Sequence, residues 1–435
     1  MRACPAEHEP STARNIYAFG ITSFLNDTAT EMAYWVLPAF LATLGAGPAQ
    51  LGLIEGIAES VASFSQLFSG YLADRIERRK PVVVAGYLVA NAVKPLLALV
   101  SAWPEILAIR FCDRLSKGFR AAPRDVMVAE SVPKNRLGSA YGLIQSMDSA
   151  GAIAGPLVAL VLLARFGIRS VFWAVAIPGA LCVLVALLGI RETKRSRGVE
   201  LATQNPEESD PRSSLAQGLE PASLLTHDGT TERRALPKLI DETASKGEIK
   251  LPVSFYLVLI AVTLFSLGNS SDMFLVLRAQ NVGIAVALAP LLGLVFNITY
   301  TLASWPAGWF SDHVSRRLVG SVGYVIFAAV YFVFGRAPST LAIWVAMAVY
   351  GFYYALTQPV LKALVVETVA EDVRGRALGI YFFVTSGATL AASLITGELW
   401  KHYGASIPFY FSAALALVAA GVLQTAKAGS SNPKQ

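Results

Sequence analysis

Ionisable side chains recur within stretches of the chain that are otherwise apolar. Nine of them lie in the first half of the sequence: Asp27, Glu31, Glu59, Lys94, Arg110, Asp113, Arg114, Lys117 and Asp148. Each such group at the centre of a bilayer costs about 2.5–3.5 kcal/mol on insertion scales. Nine groups exposed to lipid would cost roughly 25 kcal/mol. We therefore expect them to face a water-filled cavity or each other, as groups along an ion, proton or solute pathway do.

The spacing of these groups places them on defined helix faces. Asp27 and Glu31 lie four residues apart and therefore share one face of a helix. A second set follows the helical spacing i, i+3, i+4 and i+7 and forms one stripe. This stripe consists of Arg110, Asp113, Arg114 and Lys117. At a rise of about 1.5 Å per residue, Asp27 and Arg114 both lie about 15–16 Å from the nearer end of their predicted helices.

Two interpretations of these charges remain open. In the first, Asp27 or Glu31 alternates between pairing with Arg114 and carrying a proton. In the second, the charges form static salt bridges that hold two helices together. Glu55 lies only four residues into its predicted helix, so we expect it at the exposed rim and leave it out of the candidate site.

The second half of the sequence carries fewer such groups. Its clear counterpart is the polar run Asn269-Ser270-Ser271-Asp272, from which we select Asn269 and Asp272. The two halves are therefore expected to differ in their chemistry, with most of the charge in the first. Lys94 precedes a proline, so it could instead extend its ammonium group towards the membrane surface beside a helix kink.

The elements that position these groups must be helices that cross a bilayer. The 435 residues are 54 % hydrophobic and 15 % charged, with a mean hydropathy of +0.52, which excludes a compact soluble enzyme. About twenty apolar residues are needed per helix, and open strands cannot satisfy their backbone groups in lipid. We predict twelve spans in an all-α membrane protein: residues 16–44, 51–73, 81–103, 105–129, 137–164, 169–190, 253–277, 283–307, 318–335, 340–364, 375–397 and 405–425.

The positions of lysine and arginine predict the orientation of the spans. Basic residues concentrate in alternate loops, whereas the intervening loops carry few. The basic loops lie near residues 75–80, 134–136, 191–250, 316–317 and 374–376. Because such loops stay in the cytoplasm, we expect a protein of the cytoplasmic (inner) membrane with both termini on its cytoplasmic side. The first fifteen residues are polar, so we expect no cleaved signal peptide.

The chain divides into two halves that repeat one another. We predict an N-terminal six-helix half at 1–190 and a C-terminal half at 251–435, joined by 191–250. This polar connection has a composition typical of a flexible tether, and a regulatory or partner-binding segment is the alternative. ESVPKNRLGSAYG in the first half matches ETVAEDVRGRALG in the second, and GYLADRIERRK matches GWFSDHVSRR at a nearly equal offset. Two such repeats around a central pathway are typical of secondary transporters.

The run GYLADRIERR after span 2 resembles the motif G-x-L-a-D-R-x-G-R-[RK] of the major facilitator superfamily. The matching residues are Gly70, Leu72, Asp74, Arg75, Arg78 and Arg79, and Glu77 departs from the usual glycine. The resemblance covers nearly the whole chain and implies two six-helix repeats. It also implies a conformational latch, with Asp74 near a helix N-terminus and the arginines near acids. Asp125 and Glu130 are the candidate acceptors, and Asp312 and Arg316 are the repeat equivalents.

Two further motifs carry the resemblance. Arg114-x-x-x-Gly118-x-x-Ala121-Ala122 in span 4 is similar to a motif that the family links to proton coupling. Gly151-x-x-x-Gly155-Pro156 in span 5 is similar to a motif of exporters that exchange substrate for protons, although its trailing glycines are absent. These glycines could equally serve close helix packing. Other segments look like prokaryotic drug or metal exporters.

These observations favour a secondary transporter that exports a small solute in exchange for protons. Uptake of an organic anion is the alternative, and a non-transporting sensor or scaffold is the alternative from another class. The sequence contains no H-E-x-x-H, G-x-S-x-G or G-x-x-x-x-G-K-[ST] motif, so we expect neither an enzyme nor a bound cofactor or metal. The expected partners are the solute, protons and the lipid bilayer, with no nucleic acid, and the protein is expected to be a monomer.

Overall fold

The computed structural model describes residues 10–76, 78–132, 137–193, 252–369 and 374–425. The predicted tether, from residue 194 onwards, lies outside the described residues. The side chains of Asp74, Arg75 and Asp312 also lie outside this description. The orientation of the chain and the division into 1–190, 191–250 and 251–435 stay predictions.

The described residues are helical and fall into twelve spans in the predicted order. Spans 1 to 6 comprise Pro10–Tyr34 with Leu37–Thr43, Pro48–Arg75, Lys80–Val93 with Lys94–Leu99, Trp103–Glu130, Leu137–Phe166, and Ile168–Ala174 with Ala176–Gly189. Spans 7 to 12 comprise Val253–Gly268 with Met273–Asn281, Val286–Leu288 with Ala289–His313, Arg316–Arg336, Thr340–Glu367, Arg374–Tyr403, and Ile407–Thr425.

Most of these spans are long and apolar enough to cross a bilayer. Among the described residues, nine helices meet that criterion. The exceptions are spans 1, 2 and 4, which carry seven of the nine ionisable groups named in the first half and are less apolar for that reason. The architecture is thus the predicted all-α membrane fold, consistent with twelve spans.

Several spans are interrupted, and the interruption in span 7 bears directly on the site. Its first helix ends at Gly268 and its second begins at Met273, so the polar run Asn269–Asp272 forms the break. In span 3, the α-helix gives way to a 3₁₀ helix at Lys94, next to Pro95, because proline lacks an amide hydrogen to donate. Non-helical backbone is tolerated at membrane depth where it lines a cavity or is covered by protein.

Glycines bring span 5 against span 1 directly behind the acidic pair. A Cβ added to Gly151 would lie 2.5 Å from the carbonyl oxygen of Phe24, and one on Gly155 would lie 2.7 Å from that of Thr28. Both added atoms would also approach the Cβ atoms of Asp27 and Glu31, at 3.1 and 2.8 Å. The Gly151, Gly155 and Pro156 motif therefore sets how closely span 5 supports these two acids.

The two halves meet closely near the start of span 2 and the end of span 11. A Cβ added to Gly52 would collide with the carbonyl oxygen of Ser393, and one on Gly397 would lie 2.7 Å from that of Pro48. Ser60 donates a hydrogen bond to the carbonyl oxygen of Ser386 along the same seam. We call this part of the bundle, opposite the basic loops, the far end. Backbone contact closes the seam there.

Candidate functional site

A cavity of about 400 Å³ lies between the two halves. Its charged lining, among the described residues, consists of Asp27, Glu31, Glu59, Asp113, Asp272, Arg114, Lys117 and Arg120. Eight of the eleven residues singled out in the sequence line it, since Asn269 does so as well. The other three, Lys94, Arg110 and Asp148, are not in the lining. The cavity is therefore charged chiefly by spans 1, 2 and 4, as the sequence indicated.

The most buried ion pair joins Arg110 on span 4 to Glu55 on span 2. The guanidinium donates to both carboxylate oxygens at 2.6–2.9 Å, and the Glu55 side chain is 0 % exposed. The expectation that Glu55 lies at an exposed rim was wrong. Span 2 begins at Pro48, so Glu55 lies about two turns inside the helix, where span 4 covers it.

Glu55 also connects the two halves through the break in span 7. The hydroxyl of Ser271 donates to the second carboxylate oxygen of Glu55 at 3.2 Å, and the hydroxyls of Ser271 and Tyr34 lie 3.4 Å apart. Because Ser271 lies in the break of span 7, its hydroxyl is available to contact a residue of the other half. A charge from the first half and a polar turn from the second form one network.

Arg114 pairs with span 2 rather than with span 1. Its guanidinium lies 2.9 Å from a carboxylate oxygen of Glu59. The predicted pairing of Arg114 with Asp27 or Glu31 is not the one in this structure. Lys117, one turn further along span 4, has an exposed side chain that lines the cavity. The stripe on span 4 therefore presents two cations to the cavity: Arg114, which Glu59 neutralises, and Lys117, which is exposed.

Lys94 is buried rather than extended towards the membrane surface. It is 4 % exposed, its ammonium donates to the hydroxyl of Thr30 at 2.8 Å, and it lies 3.7 Å from Asp113. Asp113 is also 3.9 Å from Arg110. Asp113 thus lies between two cations and ties spans 3 and 4 together. This part of the charge cluster is a packed network behind the cavity wall.

The acids of span 1 have polar partners but no cation close by. Trp35 donates its indole N–H to Glu31 at 2.6 Å, and the Asn26 amide donates to Asp27 at 3.1 Å. Within the described part of the chain, neither carboxylate has a cationic nitrogen within 4 Å. Both side chains are partly exposed to the cavity. Both carboxylates therefore reach the cavity without a neutralising cation at ion-pair distance among the described residues.

Two cations that lie further along span 4 were not identified from the sequence. Arg120 is 5 % exposed and lies over the ring of Tyr87 at 4.5 Å, and Arg124 lies 4.0 Å from Asp148. Their positions continue the stripe beyond Lys117 by roughly one and two further turns. That continued periodicity was the signal in the sequence that could have identified them.

The region of the expected latch contains a strong ion pair. One nitrogen of Arg79 lies 2.8 Å from each carboxylate oxygen of Glu130, and Glu192 accepts a hydrogen bond from the backbone amide of Arg79. Asp125, the other expected acceptor, lies instead 3.9 Å from Arg124. Arg78 is exposed, and an added Cβ at Gly70 would meet nothing within 4 Å. A role of these residues as a latch stays a prediction, as it does for Arg316.

Comparison with known proteins identifies the family. The family model described as the Major Facilitator Superfamily matches residues 19–277 and 253–434. An uncharacterized MFS-type transporter of Methanocaldococcus jannaschii is 31 % identical over 95 % of this chain and 94 % of its own length. The chain belongs to the Major Facilitator Superfamily and is a multi-pass membrane transporter.

More distant similarities concern parts of the chain or the fold alone. The multidrug resistance protein MdtG of Escherichia coli is 29 % identical over 44 % of this chain and 48 % of its own length. The crystal structure of a POT family transporter in complex with 5-aminolevulinic acid superposes with a TM-score of 0.72 at 13 % identity, covering 95 % of this chain and 96 % of that one. A D-xylose–proton symporter gives a TM-score of 0.68 at 15 % identity, covering 95 % and 96 %. These structures share the fold.

Proposed function

We propose that this transporter exports a small solute across the cytoplasmic membrane in exchange for protons. The observation that carries the proposal is the pair of cavity carboxylates on span 1, which have no ion-pair partner among the described residues. A carboxylate in such a place is stabilised by a proton or by a passing cation, and the two compete for it. Competition of this kind couples the outward movement of one to the inward movement of the other.

The similarity to a multidrug resistance protein over part of the chain supports export. The packing motif on span 5 is similar to a motif of exporters, which supports the same direction, and it lies directly behind Asp27 and Glu31. Uptake of an organic anion would need free cations in the cavity. Arg114 is already neutralised by Glu59, and Arg120, which also lines the cavity, is buried over the ring of Tyr87. Among the described residues, this leaves Lys117 as the exposed cation on that wall and makes anion uptake the second candidate.

Proton flux in proteoliposomes tests the proposal. Purified protein is reconstituted with an internal pH indicator, and gradients of organic cations, neutral drugs and organic anions are imposed in turn. Exchange predicts that protons move opposite to the solute, whereas uptake by symport predicts movement in the same direction. Solute movement without any proton flux would contradict proton coupling.

Asp27→Asn should abolish accumulation against a gradient while preserving some solute counterflow. Neutralisation removes the proton carrier, and counterflow needs no net proton movement. Glu31→Gln is the second choice, because Trp35 already stabilises that carboxylate. The measurement is pH-driven transport beside counterflow, with the thermal unfolding midpoint as a check on folding. Full pH-driven transport in both variants would remove span 1 from the proton path and leave Asp113, Asp148 or Glu59 to be tested.

Glu130→Gln should slow transport strongly and leave the solute affinity roughly unchanged, because its ion pair with Arg79 lies at the end of span 4 and away from the cavity. We expect the same of Asp74→Asn from the family motif. Rates of transport and of equilibrium binding are measured side by side. Asp125→Asn serves as a control, since this carboxylate pairs with its neighbour Arg124 instead. Normal turnover with much weaker binding would show that Glu130 has a different role.

A further inference from the structure

The second half contributes one carboxylate to the cavity, and its surroundings differ from those on span 1. Asp272 is the last residue of the break in span 7 and accepts a hydrogen bond from the hydroxyl of Tyr350 at 2.7 Å. Within the described residues, no cationic nitrogen lies within 4 Å of it. Asp272 is therefore the acid that the second half contributes to the cavity, and the other charged lining residues that the structure describes belong to the first half.

Aromatic rings border the same part of the cavity. The rings of Phe296 and Tyr354 lie 5.1 Å apart and nearly perpendicular, Trp35 lies 6.3 Å from Phe296, and all three residues line the cavity. The face of an aromatic ring attracts cations, and cages of such rings are a common means of recognising ammonium groups. A carboxylate beside three rings therefore combines charge and shape for one kind of ligand.

The amide of Asn269 adds a polar group to this wall. Its side-chain oxygen is buried and has no hydrogen-bond partner in the described structure, and the residue lines the cavity. An unpartnered acceptor is costly when buried. A protonated amine would satisfy it by donating an N–H, and the partial negative charge of this oxygen also attracts an ammonium group that has no N–H. The wall thus presents a carboxylate, an unpartnered acceptor and ring faces, all of which favour a positively charged ligand.

We propose that the wall formed by Asp272, Asn269, Phe296, Tyr354 and Trp35 is a subsite for an organic cation. The ligand is an amine or quaternary ammonium compound with an apolar body, whose charge lies at Asp272 and whose body lies against the rings. A cavity of about 400 Å³ accommodates a small molecule of this kind. This inference rests on the proposed function, because it names the solute class that the exporter carries.

Equilibrium binding of radiolabelled benzyltrimethylammonium to the purified full-length protein tests the subsite. This probe keeps its charge at every pH, so any effect of pH on its binding reflects protonation of the protein and not of the probe. Neopentylbenzene is its neutral isostere, and benzenesulfonate is an anion of similar size. We expect saturable binding that unlabelled cation displaces and that neither control compound displaces at large excess. Displacement by neopentylbenzene, or binding of benzenesulfonate in place of the cation, would overturn the inference.

Variants assign the binding to these residues. Asp272→Asn should weaken binding by about tenfold or more, with recovery in Asp272→Glu, and Tyr354→Leu should weaken it several-fold while preserving apolar bulk. Glu398→Gln, at an exposed pair with His402, should bind as the unchanged protein does. Equal thermal unfolding midpoints exclude misfolding as the cause. Unchanged binding in Asp272→Asn would overturn the assignment.

The binding result and the proton-flux result separate this inference from the proposed function. Cation binding without proton exchange would retain the subsite and contradict proton-coupled export. Proton exchange driven by a neutral or anionic solute, with no cation binding, would retain coupled transport and overturn the subsite.

Discussion

Arg110→Met should lower the free energy of unfolding by about 3–5 kcal/mol, because it leaves the Glu55 carboxylate buried without its cation. Glu55 is fully buried and receives three hydrogen bonds from that guanidinium. The hydroxyl of Ser271 provides a further hydrogen bond but no charge. The measurement is unfolding of the purified protein in detergent, followed by the thermal midpoint and by denaturant titration.

The double variant Glu55→Leu with Arg110→Met should recover most of that loss. Replacing both members of a buried ion pair by apolar residues of similar size is often close to neutral. Glu398→Gln is the matched control, since its pair with His402 is exposed and surface pairs contribute little. A loss in Arg110→Met no larger than in this control would show that the buried pair is not what holds spans 2 and 4 together.

Gly52→Val should prevent closure of the far end and reduce transport severely. A side chain at Gly52 collides with the carbonyl oxygen of Ser393 on span 11, which is backbone and cannot turn away. Overpacking of a tight contact costs about 1–3 kcal/mol, and this lowers the population of the closed far end by about 5- to 150-fold. We expect the transport rate to fall accordingly, since alternating access requires that state.

Spin labels on Thr43 and Lys401 report the far-end distance directly, because both positions are exposed and lie in different halves. Double electron–electron resonance should show a longer distance in Gly52→Val than in the labelled parent protein. Gly387→Val is the matched control on span 11, where an added Cβ meets nothing within 4 Å. An unchanged distance together with full transport in Gly52→Val would refute the closure role of this contact.

The two halves contribute different side chains to the cavity, although their sequences repeat one another. Span 4 carries the cations, and spans 1 and 2 carry most of the acids. The second half contributes rings and the single acid Asp272 to the lining, among the residues that the structure describes. A solute in the cavity therefore meets most of the charge on the first half, whereas aromatic rings come from both halves, Tyr34 and Trp35 from the first and Phe296 and Tyr354 from the second.

Local sequence was sufficient to predict the spans and most of the charged residues that line the cavity. A helix must bury about twenty residues in the bilayer whatever it packs against, so the length of a span can be predicted from the residues of that span alone. For this reason most predicted bounds fall within a few residues of the observed ones, as for 137–164 against Leu137–Phe166. The spacing of Arg110, Asp113 and Arg114 likewise fixed their common face, because helix geometry relates neighbours along the chain.

The pairing of the charges, by contrast, depends on how the helices pack in three dimensions. Glu55 was excluded because its depth was judged from its distance to the end of span 2, yet burial depends on the helix that covers it, and Arg110 comes from another span. Arg114 pairs with Glu59 rather than with Asp27, although all three lie deep in their helices. The break at Asn269–Asp272 brings Ser271 to Glu55 across the two halves. Pair contacts depend on the relative rotation of helices, and that rotation is set by packing between residues far apart in sequence.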